Sequence, residues 1–143
     1  MSDQIITSLH SPHVDRVKAL LGSRGKKIRR EESVFVADGI QSIKSALNPK
    51  CESAPRVEKI YLTATGEESL RKEFSDAVLK KCELINVSDS VMSAMTDTHT
   101  PQGILALCKY RPLELPKLLD KSPQRLAFFW QIQDPGNAGT AIR

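Results

Sequence analysis

In the first 110 residues, short apolar runs of strand length alternate with segments whose apolar residues recur at helical spacing. That alternation restricts the chain to layered α/β folds. The strand-like runs are 34–37, 57–62, 84–87 and 103–108. Before the first of them, Ser11 and Pro12 read as a helix cap and first helical residue. Val14, Val17, Leu20 and Leu21 then share one face, and Gly22 is a stop. A second helix is expected over 40–47, with Ile40, Ile43 and Leu47 on one side. A third is expected over 67–82, carrying Leu70, Phe74, Ala77 and Val78. Ser88 caps a fourth, with Val91, Met92 and Met95 as core filler. The unit closes near Tyr110.

Charge is distributed unevenly. Residues 1–30 hold seven Lys or Arg against two acids, while the rest of the chain is close to balanced. The excess is concentrated in Arg24, Lys26, Lys27, Arg29 and Arg30, which the flanking glycines at 22 and 25 make readable as a flexible basic loop. Such a cluster, with no acid before Glu31, suits phosphate contact. It lacks the aromatics that base stacking requires. A solvated charged loop is the plain alternative.

Residues 111–123 contain Pro112, Pro116 and Pro123 and read as a linker, with leucines that allow a short helical turn. The following stretch, 126–133, is apolar and aromatic without Gly or Pro, which predicts a buried strand. Asp134-Pro135-Gly136-Asn137 then predicts a type II turn with Gly136 at positive φ. Asn137 is expected to cap a helix that continues to Arg143. Gly139 in its first turn permits close approach of a backbone or ligand.

The string Asp134-Pro135-x-Asn137-x-Gly139-x-x-x-Arg143 resembles motif 1 of the SpoU/TrmH family of RNA ribose 2′-O-methyltransferases, in the SPOUT superfamily. Further likeness lies in Ile6-Thr7-Ser8 and in Ser11-Pro12, where the family has Asn-Pro. It continues through Arg30 five residues before Phe35, Asp38-Gly39 in place of Glu-Gly, and Thr100-Pro101-Gln102-Gly103 before an apolar strand. The resemblance implies an α/β fold class. A small layered N-terminal domain like an RNA-binding ribosomal protein (1–110) is followed by the linker 111–123. Residues 124–143 would then be the first strand-turn-helix of a SPOUT trefoil-knot domain.

The resemblance also implies RNA, ribosomal or transfer, as the substrate and S-adenosylmethionine as the methyl donor of the full-length family. Arg143 then matches the family's catalytic arginine. A guanidinium with a pKa above about 12 makes a better phosphate clamp than a base. Asn137 would orient the turn, Arg143 or the ribose, or serve simply as a helix cap. The donor-binding motifs 2 and 3 do not occur in the 143 residues. The polypeptide is therefore expected to be a piece of a longer methyltransferase or an incomplete gene product. On its own it is expected not to bind S-adenosylmethionine and to be inactive. The family dimerises through the missing domain, which leaves a monomer open for this piece. A non-catalytic RNA-binding module is the alternative function.

DNA and membranes are not expected partners. No run reaches the roughly 18 apolar residues of a membrane span. A polar, acidic start and three scattered cysteines, Cys51, Cys82 and Cys108, point to a reducing, cytoplasmic setting. His10 and His13 have no companion ligands in sequence, so no metal is expected. No P-loop, dinucleotide fingerprint or nucleophile–base arrangement supports a small-molecule enzyme.

Overall fold

The computed structural model describes residues 5–47, 55–98 and 100–142. The chain divides into two compact units, Met1–Pro112 and Leu113–Arg143. The first runs α1 (Pro12–Leu21), α2 (Gly25–Glu32), β1 (Val34–Asp38), α3 (Ile40–Ala46), β2 (Arg56–Leu62), α4 (Ala64–Glu73), α5 (Asp76–Leu79), β3 (Glu83–Asn86), α6 (Asp89–Ala94) and β4 (Ile104–Lys109). The four strands form one mixed sheet in the order β1-β4-β2-β3. β4 is antiparallel to both its neighbours, and β3 runs parallel to β2.

β4 lies between two strands and under helices on both faces, which is why 104–108 is an unbroken apolar run rather than an alternating one. Ile104, Ala106 and Cys108 face one core with Ile43, Ile60, Leu62, Leu70 and Leu79, under α3, α4 and α5. Leu105 faces the other core with Val14, Val17, Tyr61, Val91, Met92 and Met95, under α1 and α6. Leu107 joins Leu20 and Val34 in a smaller cluster that Ile28 of α2 covers. The layered α/β arrangement expected from the alternation is present.

Ser11 and Ser88 cap as expected: their hydroxyl oxygens accept from the Val14 and Val91 amides at 3.3 Å each. The helix expected over 67–82 is two. Phe74 and Ser75 take extended backbone, and the chain restarts as α5. Phe74 thereby packs on the core while the register shifts, so that Leu79 is buried and Ala77 is exposed. The basic stretch is a helix, not a flexible loop, and tertiary contacts rather than its own sequence hold it.

The second unit contains α7 (Leu115–Leu119) and α8 (Pro135–Ile142). Residues 126–133 form no strand. Phe128 and Trp130 are 84% and 74% exposed and stack on each other at 6.3 Å. A strand needs neighbours for its amides and its apolar face, and among the described residues of this unit there are none. Gly136 is helical rather than at positive φ. The cap is Asp134, whose Oδ1 accepts from the Gly136 amide at 2.8 Å, and Pro135 starts α8. Asn137 therefore lies inside the first turn of α8 and does not cap it. Among the described residues no helix is long and apolar enough to cross a membrane.

Candidate nucleic-acid interface

Arg24, Lys26, Lys27, Arg29 and Arg30 come together on α2 and the residue before it. Taken alone, this segment is a poor helix. It is eight residues long, begins with Gly, and has two lysines and no acid in its first turn, the wrong sign for the helix dipole. Arg24 precedes it without a side-chain cap bond. Tertiary contacts make the helix. Ile28 is half-buried against the cluster of Leu20, Val34 and Leu107. Gly25 is buried so closely under the end of α1 that a Cβ there would overlap the Leu20 carbonyl. Arg29 Nη1 donates to that same carbonyl oxygen, and Arg16 of α1 pairs with Glu32. At the far end Ser33 takes a left-handed conformation, φ 55°, and its amide donates to Arg29 O.

These contacts sort the cations by role. Gly25, Ile28 and Arg29 face inward, and Arg24, Lys26, Lys27 and Arg30 are exposed. Lys27 lies 3.8 Å from Glu31, a loose pair between two solvated side chains that leaves the lysine available. Among the described residues Arg24, Lys26 and Arg30 have no ion pair. The hydrogen bond from Arg16 holds the Glu32 carboxyl below the usual carboxylate range. In the sequence Arg29 is one of five clustered cations. The signal that separates it is its spacing of four from Gly25, one residue from the apolar Ile28.

Arg143 lies outside the described residues, as does Cys51. Asn137 belongs to the second unit. In α8, a Cβ on Gly139 would meet nothing within 4 Å. Leu126, Phe128 and Trp130, in the segment before α8, are exposed. His13 Nδ1 sits 3.1 Å from Tyr61 Oη, and among the described residues no three potential ligands meet at a metal site.

The first unit also carries a groove of about 830 Å³ lined by His13, Arg71, Asp76, Lys80, Glu83 and Leu84, among others. Its rim mixes acids with bases, and Arg71 is tied to Glu67 and Asp76. Its field is far less suited to a polyanion than the exposed face of α2.

The profile of the MRM3-like substrate binding domain matches residues 14–106. A curated relative, the 23S rRNA (guanosine(2553)-2'-O)-methyltransferase RlmP of Bacillus subtilis (strain 168), is 28% identical over 118 residues. The match takes in 82% of this chain and 42% of the relative. An AdoMet-bound rRNA methyltransferase from Sinorhizobium meliloti superposes with a TM-score of 0.59 at 22% identity, over 80% of this chain and 39% of its own. The SpoU methyltransferase AviRb from Streptomyces viridochromogenes gives 0.58 at 21%, over 94% and 48%. At those identities the structural likeness concerns the fold, and the chain spans less than half the length of each. The match over 14–106 covers the layered unit from α1 into β4: the chain belongs to the family of MRM3-like substrate binding domains.

Proposed function

We propose that this chain is the RNA-recognition part of an S-adenosylmethionine-dependent RNA ribose 2′-O-methyltransferase, acting on structured ribosomal or transfer RNA. The observation that carries the reading is the exposed cationic face of α2, Lys26, Lys27 and Arg30 with Arg24 beside them, on a domain whose family is named for substrate binding. The activity of the Bacillus subtilis relative supports ribose methylation and ribosomal RNA. Flexible cations on a fixed helix serve phosphate contact, which sets register and affinity but reads no bases. Asn137 and Arg143, in the motif that resembles motif 1, would then act at the ribose and its phosphate. Arg143 grips phosphate in two places, and Asn137 orients the turn.

The test is RNA binding at a series of salt concentrations. Replacing Lys26, Lys27 and Arg30 together with Ala is expected to weaken binding and to flatten the log–log salt slope by about 2–3 units, at roughly 0.7–0.9 per lost phosphate contact. An unchanged slope refutes the interface. DNA of the same sequence should compete poorly where the 2′-hydroxyl is read. A non-catalytic RNA-binding module is the second reading. It is favoured by the first unit's layered cores, which lie within that unit.

A further inference from the structure

We propose that Arg29 is a positioning residue rather than a phosphate ligand. Together with Gly25 it latches α2 onto the last turn of α1, so that Lys26, Lys27 and Arg30 form a preset cationic face. This deepens the RNA reading above and rests on it. The last carbonyls of a helix have no partner within it. Leu20 lies in the final turn of α1, and its oxygen accepts from Arg29 Nη1. A cation at that end is also favoured by the helix dipole. Gly25 brings the start of α2 against the same carbonyl, and a Cβ there would also lie 2.8 Å from Arg29 Nη1. One peptide oxygen thus accepts from the guanidinium of Arg29 and lies against Gly25, whose own amide donates to Gly22 O at 2.8 Å.

The latch matters because α2 has little stability of its own: eight residues, a glycine start and a first turn of unfavourable charge. If α2 unwinds, the three cations lose their common face, and the ordered fraction sets apparent affinity. Arg29 is only half-buried, so a phosphate could compete for it. The two roles predict different salt behaviour. A ligand removed takes its counterion release with it. A latch removed lowers the ordered population but leaves the number of phosphate contacts in the complex unchanged.

The experiment uses the full chain, with Arg29→Met and Gly25→Ala as separate variants, hydrogen exchange on the free protein and binding to a labelled RNA hairpin. Both variants are expected to lose protection at the α2 amides while β4 stays protected. RNA affinity should fall about tenfold, as for a latch that leaves about one molecule in ten ordered, at an unchanged salt slope. Gly25→Ala alters no charge, so its loss of affinity would have no explanation in a phosphate contact. Should that variant fail to fold, Arg29→Met alone decides. Unchanged α2 exchange in Arg29→Met overturns the latch. A slope shallower by about 0.7–0.9 in that variant makes Arg29 a ligand and overturns it too. No salt-dependent binding by the parent chain overturns the RNA reading itself, and with it the positioning role, a result separable from either of the others.

Discussion

Gly66, one turn into α4, lies against the carbonyl of Gly103, the residue before β4, with no room for a methyl group between them. The same carbonyl accepts from the Thr63 amide at 2.9 Å, and Thr63 Oγ1 accepts from the Gly66 amide at 3.3 Å. Gly103 itself sits at φ +71°, and a Cβ there would overlap Thr63 Oγ1. Helix α4 is thus pinned to the entry of the central strand by backbone contact. Gly66→Ala is expected to destabilise by about 3 kcal/mol, the upper part of the range for overpacking. In a domain of this size that lowers the melting temperature by roughly 10–13 °C. Gly139→Ala, where a Cβ meets nothing within 4 Å, should cost nothing and favour α8 by up to about 1 kcal/mol of helix propensity. Differential scanning calorimetry distinguishes the two.

A side chain from a distant loop caps α3. Gly39, at φ +82°, has no side chain to offer the helix, and Gln102 Oε1 accepts from the Ile40 amide at 3.0 Å instead. Asp38, just before, accepts from Thr98 Oγ1 at 2.8 Å and also from Thr96, so the loop ahead of β4 is fastened to the end of β1 at both places. Gln102→Ala should cost about 1 kcal/mol, the usual value of a lost cap. The expected observation is a lower denaturant midpoint with an unchanged m-value, since the surface exposed on unfolding stays the same.

The thiol of Cys108, on the central strand, is fully buried, and burial pushes its pKa up to about 12. Cys82 is half-buried and raised for the same reason. In the native protein at pH 8 Cys108 should resist an aromatic disulfide reagent and react only on denaturation, with Cys82 slowed. The sign of the linkage follows. An acid whose folded pKa lies above its unfolded value of about 8.5 keeps its proton in the native state while the unfolded chain has lost it. Stability therefore declines from about pH 8.5 upward, through the folded value. Burial also takes Tyr61 to about 12, against an ordinary value of about 10. Its phenolate absorbance should appear together with alkaline unfolding, and Tyr61→Phe should remove that late step.

The parts of the fold legible in the sequence are those with a local cause. Ser11 and Ser88 cap because a hydroxyl reaches an amide within the same turn. The run 104–108 reads as strand because both its faces are covered. What was not legible depends on partners far along the chain or on a neighbour that the described residues do not supply. The basic stretch is a helix because Leu20 and Arg16 hold it, against its own charge pattern. The break at Phe74 and Ser75 places Leu79 rather than Ala77 in the core. The apolar run 126–133 has the composition of a buried strand, and among the described residues of its unit there is no strand to pair with. In the interface, five cations were legible as a cluster. The spacing of four from Gly25 marks Arg29 in the sequence, and packing against the Leu20 carbonyl is what turns it inward.

The Arg16–Glu32 pair makes the α1–α2 junction sensitive to acid. The hydrogen bond from Arg16 keeps the Glu32 carboxyl ionised below its ordinary range, and the same bond to Glu32 raises the Arg16 pKa. A depressed carboxylate contributes stability that is in full force above the unfolded value of about 4.3 and is lost as pH falls through the folded value. Lowering the pH from 6 to about 3 should therefore move the amide resonances of α2 before the sheet responds. Glu32→Gln, which cannot ionise, should show the acid-form α2 resonances already at neutral pH and no further change attributable to this pair. If the variant and the parent titrate alike, the pair does not hold the junction, and α2 is kept in place by Ile28 and the Leu20 carbonyl alone. Because both side chains are solvated, added salt should shift the parent toward the variant, whereas a buried pair would be indifferent to it.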